Sequence, residues 1–542
     1  MRPVKLHRKG TGKASGTQGM QSGFSMTPLP SFAAPVATVE SAPRRSRNLH
    51  PHSLRARLLL DLAVIVAYLV GVAVLGIALR GRQEGVQDYF LGSRRIAWPL
   101  ILLSIVATET STVTVLSVPG KSYAGDMTFL QLPIGYIVGR IGIAVLLMPV
   151  YFRNEAFTVY QILGTRFGSG VQRLNAAIFV ATRTVADGLR LYLTALAVRE
   201  LTQWSFETSI VVVGTATCVY TFFGGVRAVI WTDFLQFIVK MAGVIATGWV
   251  LLQKIPGGWD TIVQEGTAHH KFHIFEFAFD ITSASTFWAG LLGGAFLTAA
   301  THGADQMMVQ RYLCTDSIRH ARLALVSSGV VILLQFVVFL LIGIGLFVFY
   351  QSEPPSVPND EVFARFVIHE VPRGLRGVIV AAILSAAMGT LSGSLNSVAS
   401  AAVTDLYRPL LRPVASDAHY LHVSRIATVF AGLLQMSVAY IGQSFPNRST
   451  VDNVLAVAAF TTGITLGVLL LGMLSRRAGG SAALIAMVHG GVMVTCVWAF
   501  TPVAWPWYAL YGSSVTLITG LAASSAVPQR RPSPQGSTNP TT

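Results

Sequence analysis

Charge is scarce in this sequence. Asp, Glu, Lys and Arg make up 12% of its 542 residues, about half the ~25% of soluble domains, and mean hydropathy is +0.57. An ordinary soluble globular chain is excluded, and a polytopic membrane protein is indicated. Cysteine is scarcer still. Cys218, Cys314 and Cys496 lie in or beside apolar segments, too few and too scattered for a disulfide framework or a zinc site. Acidic residues are the minority of the charged set, 24 against 40 Lys and Arg, for a net charge of +16. No aromatic-rich basic domain stands outside the apolar segments, so the excess is assigned to basic cytoplasmic loops and a basic tail, not to nucleic-acid binding. Long hydrophilic loops are missing too. The largest, about 254–283, has room for a short surface helix but not for a soluble domain.

What is present is a series of apolar segments. Residues 1–55 are basic and rich in Gly, Ser, Pro and Thr, and read as a disordered tail without the pattern of a secretory signal. Residues 56–526 form the transmembrane domain, and 527–542 a short disordered tail. Thirteen segments come near the ~20 residues that a span requires. They are centred in 58–80, 97–118, 129–152, 173–198, 208–224, 229–253, 284–311, 322–350, 375–403, 422–441, 451–475, 481–500 and 503–525. The lipid bilayer is therefore the first partner.

Orientation follows from Lys and Arg in the loops. Odd-numbered connections hold Arg80, Arg82, Arg94, Arg95, Arg153, Arg166, Arg173, Arg227, Arg319, Arg322, Arg408, Arg412, Arg476 and Arg477, and the C-terminal tail adds Arg530 and Arg531. Even-numbered connections hold Lys121, Arg199, Lys254, Lys271, Arg365, Arg373 and Arg448. The bias places the C-terminus in the cytoplasm and the N-terminus outside a cell (inner) membrane. The basic N-terminal tail opposes this: either it is translocated despite its charge, or the chain starts downstream, at Met20 or Met26.

One stretch stands out. Ser104 to Gly120 lies in an apolar segment, yet carries Thr108, Glu109, Thr110, Ser111, Thr112 and Thr114 and ends in Pro119–Gly120. A carboxylate at the centre of a membrane helix costs roughly 2.5–3.5 kcal/mol on insertion scales, so a broken helix whose freed backbone binds a ligand is expected. The seventh segment is interrupted similarly, by Gly293, Gly294, Thr298, Thr301, His302 and Gly303. Two interrupted helices, five helices apart, are the sequence pointer to a transporter site at the midplane of two structural repeats. Other ionisable groups in the spans are Arg140, Arg183, Asp187, Arg190, Asp233, Lys240 and Asp305. Arg183, Asp187 and Arg190 share one helix face, so Asp187 has two arginines to pair with. The surplus arginine is either part of a structural ladder or attracts an anion. Arg140 is read as the partner of an internal carboxylate or carbonyl, and Lys240 as a snorkelling side chain. Gly135-xxx-Gly139 and Gly290-xxx-Gly294 are read as close helix packing.

These features resemble the sodium:solute symporter family. The matching stretches are Asp88–Gly92 (DYFLG), Tyr160–Gly168 (YQILGTRFG), Gly224–Gln236 (GGVRAVIWTDFLQ), Asp305–Tyr312 (DQMMVQRY) and Met388–Tyr407 (MGTLSGSLNSVASAAVTDLY). The resemblance implies an all-α LeuT-type fold with two inverted five-helix repeats, at about 97–253 and 284–475, one extra helix before them and two after. It implies a secondary active symporter, not an enzyme, in which sodium drives a small organic solute by alternating access. The family's sodium ligands, carried onto this chain, are the carbonyls of Ala107, Thr110 and Ala386 and the positions Gly389 and Thr390. Gly389 departs from the usual Ser or Thr, and Glu109 and Ser392 are possible substitutes. Asp233 matches a family acid associated with cation coupling. Ser111, Thr114, Thr298 and His302, with Arg190, are the expected substrate contacts, favouring a carboxylate or another anion over a hexose.

Three alternatives stand beside this one. Glu109 as a proton carrier would give a proton-coupled symporter. His302 and Asp305, the one close His/Asp pair in a span, would be the start of a membrane-embedded transferase, but no metal spacing accompanies them. A sensor would need a partner protein.

Overall fold

The computed structural model describes residues 51–526 apart from Arg80, Arg82, Glu155 and residues 445–449, with backbone only for 51–59, 201, 360 and 450–460. Residues 1–50 of the expected N-terminal tail, all of 527–542, and the loop arginines at 80, 82 and 448 lie outside the described residues.

The described chain is helical and contains no strand. The helices that matter here are α1 (Pro51–Ala78), α2 (Trp98–Glu109), α3 (Thr112–Ala124), α4 (Gln131–Gly142), α5 (Ser169–Thr202) and α6 (Phe206–Lys254). They are followed by α7 (Gly294–Gly303), α8 (Gln306–Leu313), α9 (Ile318–Phe349), α10 (Leu375–Ala401), α11 (Asp417–Gly442), α12 (Thr450–Leu474), α13 (Gly480–Phe500) and α14 (Trp507–Ala526). Among the described residues, seven helical stretches are long and apolar enough to cross a bilayer unaided. Of the other predicted segments, those at 97–118 and 284–311 fall on broken helices, that at 173–198 on a helix with buried charge, and that at 503–525 on a helix rich in Ser, Thr and Gly. α6 contains two predicted segments, divided at Gly225.

That division has a local cause. Gly225 adopts φ 57°, and a side chain there would strike the Tyr89 carbonyl. Tyr89 in turn donates its hydroxyl to the Thr221 carbonyl at 3.2 Å and lies at 3.2 Å from Thr428 Oγ1. Two stretches more than a hundred residues apart thus fit together through one glycine.

α10 is the axis of the molecule. Every residue from 379 to 401 is buried, which fits its Gly, Ala and Ser content: small side chains admit neighbours closely where lipid supplies no hydrophobic drive between helices. The two glycine pairs meet each other. A Cβ on Gly135 or Gly139 would fall on the carbonyls of Gly290 and Ala295, and one on Gly294 would lie 2.8 Å from the Leu132 carbonyl. α4 is thereby pressed against the start of α7, bringing the two interrupted helices within reach of the same cavity.

Candidate transport site at the two helix breaks

α2 and α3 are one helix broken at Thr110 (φ −81°, ψ 81°) and Ser111 (φ −79°, ψ 170°). The break removes the amide donors that the carbonyls of Ala107 and Thr108 need one turn on, and a buried carbonyl must find another partner. Thr108 O accepts from Thr390 Oγ1 of α10 at 3.0 Å. Ala107 O and Thr110 O both accept from Lys240 Nζ of α6, each at 2.7 Å. Lys240 does not snorkel: it is wholly buried, with its ammonium at the C-terminal end of α2, where carbonyl dipoles favour a cation.

The expected sodium set can be tested against this geometry. Two of its carbonyls face an ammonium. Thr390 Oγ1 shares its one proton between Thr108 O and, at 3.2 Å, Ala386 O, and keeps its lone pairs. Ser392 Oγ turns back to Gly389 O at 3.3 Å. A sodium ion needs oxygens whose lone pairs point at it, and with the Lys240 ammonium already on Ala107 O and Thr110 O, the set of Ala107, Thr110, Ala386 and Thr390 does not fit one as well.

Beside it lies a different group of oxygens. Asp233 Oδ2 accepts from Ser104 Oγ at 2.6 Å and from Arg311 Nη2 at 3.2 Å. Arg311 also donates through Nε to Ser104 Oγ at 3.0 Å, and only the lack of a side chain at Gly393 admits its guanidinium. Asp233 Oδ1 and Gln236 Oε1 are buried with no hydrogen-bond partner. Both face the space that a side chain at Gly389 would fill: a Cβ there would lie 2.8 Å from Gln236 Oε1 and 3.5 Å from both Asp233 Oδ1 and Ala107 O. Asp233 Oδ1 and Gln236 Oε1 are two buried acceptors turned to one point with no hydrogen between them, an arrangement that suits a small hard cation, so the residues around Asp233 fit sodium better than the carbonyls that face Lys240.

On the other side of α2 is a cavity of about 200 Å³. Ser111, Thr114, Thr298, His302 and Arg190 all line it, as does Thr390. Phe129, Tyr136, Phe336 and Trp505 provide an apolar wall, the usual mixture for a small-molecule site. Glu109 is paired here with Arg140, which is fully buried; His302 Nε2 lies 3.4 Å from Glu109 and 3.3 Å from Arg140, and Ser328 Oγ accepts from Arg140 at 2.8 Å. Glu109 therefore faces away from Gly389.

The second break has its own lock. Asp305 caps α8, accepting from Met307 N at 2.8 Å, and pairs with Arg183 at 3.1 Å. Asp187 is bound by both Arg183, at 2.8 Å, and Arg190. The arginine surplus read on this helix face is offset by Asp305, and the proposed His302–Asp305 pair divides: the imidazole goes to Glu109, the carboxylate to Arg183. Thr461 and Thr462 line a separate small cavity with Arg183 and Asp305.

Sequence reasoning missed the role of Lys240 and did not single out Gln236, Ser104 or Arg311. A usable signal existed. Lys240 lies two helical turns after Asp233 and Gln236 one turn after it, so all three share a face of α6.

Residues 89–490 match the family model for the Sodium:solute symporter family. The chain is 29% identical to the sodium/sialic acid symporter of Aliivibrio fischeri over 85% of its own length and 92% of that protein. It is 30% identical to the sodium-dependent multivitamin transporter of Oryctolagus cuniculus, over 80% of this chain and 69% of that one. The figures for the human sodium/iodide cotransporter are 29%, 76% and 64%. Among solved structures, a substrate-bound, outward-open Na+-coupled sialic acid symporter superposes with a TM-score of 0.80 at 25% identity, covering 86% of this chain and 98% of that one. The transporter Mhp1 gives a TM-score of 0.54 at 13% identity, covering 82% and 94%, a likeness of fold.

Proposed function

Given that the chain belongs to the sodium:solute symporter family, with its LeuT-type fold, we propose that it carries a small carboxylate-bearing solute through the cavity at the two helix breaks, driven by sodium held at Asp233. It is a multi-pass membrane transporter, coupled to sodium, and not an enzyme.

The observation that carries the reading is the placement of one broken helix between a cavity and a cluster of buried acceptor oxygens. The solute cavity touches Ser111 and Thr114 on one side of the break, and the oxygens of Asp233 and Gln236 gather behind it, beside Gly389. Thr390 belongs to both, lining the cavity while holding the Thr108 carbonyl. An ion and a solute that order the same segment each raise the other's affinity, by reciprocity. The membrane potential adds about 2.3 kcal/mol for each charge moved across 100 mV.

The carboxylate preference rests on Arg190, which lines the cavity and keeps donors beyond those given to Asp187. The sodium/sialic acid symporter to which the chain is similar carries an acid by name. Ser111, Thr114, Thr298 and His302 supply the remaining polar contacts. The loop arginines support a cytoplasmic C-terminus in the cell membrane.

The test is a thermal-shift screen of small carboxylates against purified protein, with and without sodium, followed by uptake into proteoliposomes. Joint stabilisation by one acid and sodium is expected, with uptake accelerated by an inward sodium gradient. Uptake of that acid at the same rate in potassium alone would sink the assignment.

A further inference from the structure

We propose that Lys240 is a tethered cation, and that its ammonium holds permanently the place at the first helix break where a sodium ion would otherwise sit. The proposal rests on the reading of the chain as a sodium-driven symporter and concerns how many ions that symporter binds.

Three observations carry it. First, the ammonium lies 2.7 Å from both Ala107 O and Thr110 O, at the end of α2. These are the oxygens that the break turns away from their own helix, and a cation is what they attract. Second, Lys240 is fully buried and makes no ion pair among the described residues. The carbonyls are the contacts that hold its charge in the membrane interior, a long way from the snorkelling that an apolar stem normally permits. Third, the set has lost a ligand on the facing helix. Gly389 has no hydroxyl to offer, which leaves Thr390, shared between Thr108 O and Ala386 O, as the side-chain oxygen beside the two carbonyls. The two carbonyls that the break exposes already have their cation.

A bound sodium and a lysine ammonium carry the same charge, and both satisfy the broken helix. They differ in one respect: the sodium leaves with the solute and the lysine cannot. The break is then pre-assembled before any ion arrives, and the ion that does arrive is left with the oxygens around Asp233. The chain therefore moves fewer sodium ions per cycle than its backbone geometry would otherwise hold.

The experiment counts ions directly. Radioactive sodium binding at saturation is measured on the purified full chain in detergent, for the wild type, Lys240→Met and Lys240→Gln. Asp233→Asn in the wild-type background serves as the control for the other site. Folding is checked by a cooperative melt and by a single size-exclusion peak. The expected result is one further equivalent of sodium per chain in Lys240→Met, bound at the vacated carbonyls, and the loss of the wild-type equivalent in Asp233→Asn. A folded Lys240→Met or Lys240→Gln that binds the same number as the wild type overturns the proposal, and so does a wild type that binds two. Should neither substitution fold, the wild-type count alone decides. A wild type that binds no sodium, beside a Lys240 variant that gains one, supports the tethered cation and removes the sodium site at Asp233, so the two readings fail separately.

Discussion

The carboxylate of Glu109 is held by the guanidinium of Arg140, one at the last turn of α2 and the other on α4, with His302 beside both. Arg140 is fully buried and the Glu109 side chain is 15% exposed toward the cavity. Removing one partner of such a pair leaves a buried charge uncompensated, at a cost of about 3–5 kcal/mol. Glu109→Gln is therefore expected to lower the melting temperature sharply, whereas Glu109→Gln with Arg140→Met recovers much of the loss. A calorimetric scan of the single and double variants checks this. The prediction fails if the double variant is less stable than the single by the full effect of Arg140→Met. Because Glu109 meets Arg140 at the cavity while Gly389 lies against Gln236 and Asp233, Gly389→Ser should not restore what Glu109→Gln removes.

A side chain at Gly389 is expected to impair sodium binding. A Cβ would enter the space between Gln236 Oε1, at 2.8 Å, and Asp233 Oδ1, at 3.5 Å. The atom that a Cβ would meet most closely is the end of the Gln236 side chain, which can shift, and alanine is better than glycine by helix propensity by about 1 kcal/mol, so Gly389→Ala should still fold. The loss should instead appear in the sodium concentration for half-maximal uptake, rising by about tenfold, which corresponds to roughly 1.4 kcal/mol. An unchanged sodium dependence would show that this space is not where the ion lies.

Much of this arrangement was legible beforehand. The polar run at 108–112 marked the broken helix because polar residues are costly in lipid, and the two glycine pairs marked a close crossing because only glycine permits backbone contact there. The resemblance of five short stretches set the fold. What sequence periodicity could not supply was direction in space. Lys240 looks like any lysine in an apolar helix until the unwound turn of α2 places two carbonyls above it. The expected pairing of Glu109 with a depleted α10 failed to anticipate that α4 brings Arg140 to the opposite side of α2. Arg183 seemed surplus on its own helix face because its second carboxylate, Asp305, lies 122 residues away.

The glycine crossing gives a prediction about folding rather than transport. A Cβ on Gly135 would fall on the Gly290 carbonyl, and one on Gly290 would lie 2.7 Å from the backbone carbon of Gln131. Neither neighbour is a flexible side chain, so the helices must separate. Overpacking of this kind costs typically about 1–3 kcal/mol. Gly135→Ala is expected to reduce the yield of monodisperse protein and lower the melting temperature. Gly142→Ala, on the same helix and with nothing within 4 Å of its Cβ, should have little effect. Equal losses from the two would place the sensitivity in helix propensity instead of in the crossing.

Arg190 tests the chemistry of the solute. Its guanidinium pairs with Asp187 and lines the cavity, and the fork geometry allows it to bond one carboxylate while presenting donors to another. Lysine retains the charge but not the fork, so Arg190→Lys should still pair with Asp187 and preserve the fold. If the solute's carboxylate meets Arg190, the KM for uptake of that acid should rise about tenfold with little change in maximal rate, the signature of a lost ground-state contact. The corresponding amide of the acid, which lacks the charge, should be transported with the same KM by both proteins. A parallel rise for acid and amide would mean that Arg190 shapes the cavity without reading the carboxylate. An unchanged KM for the acid would move the anion contact to another donor in the cavity, with His302 and Lys121 next in line.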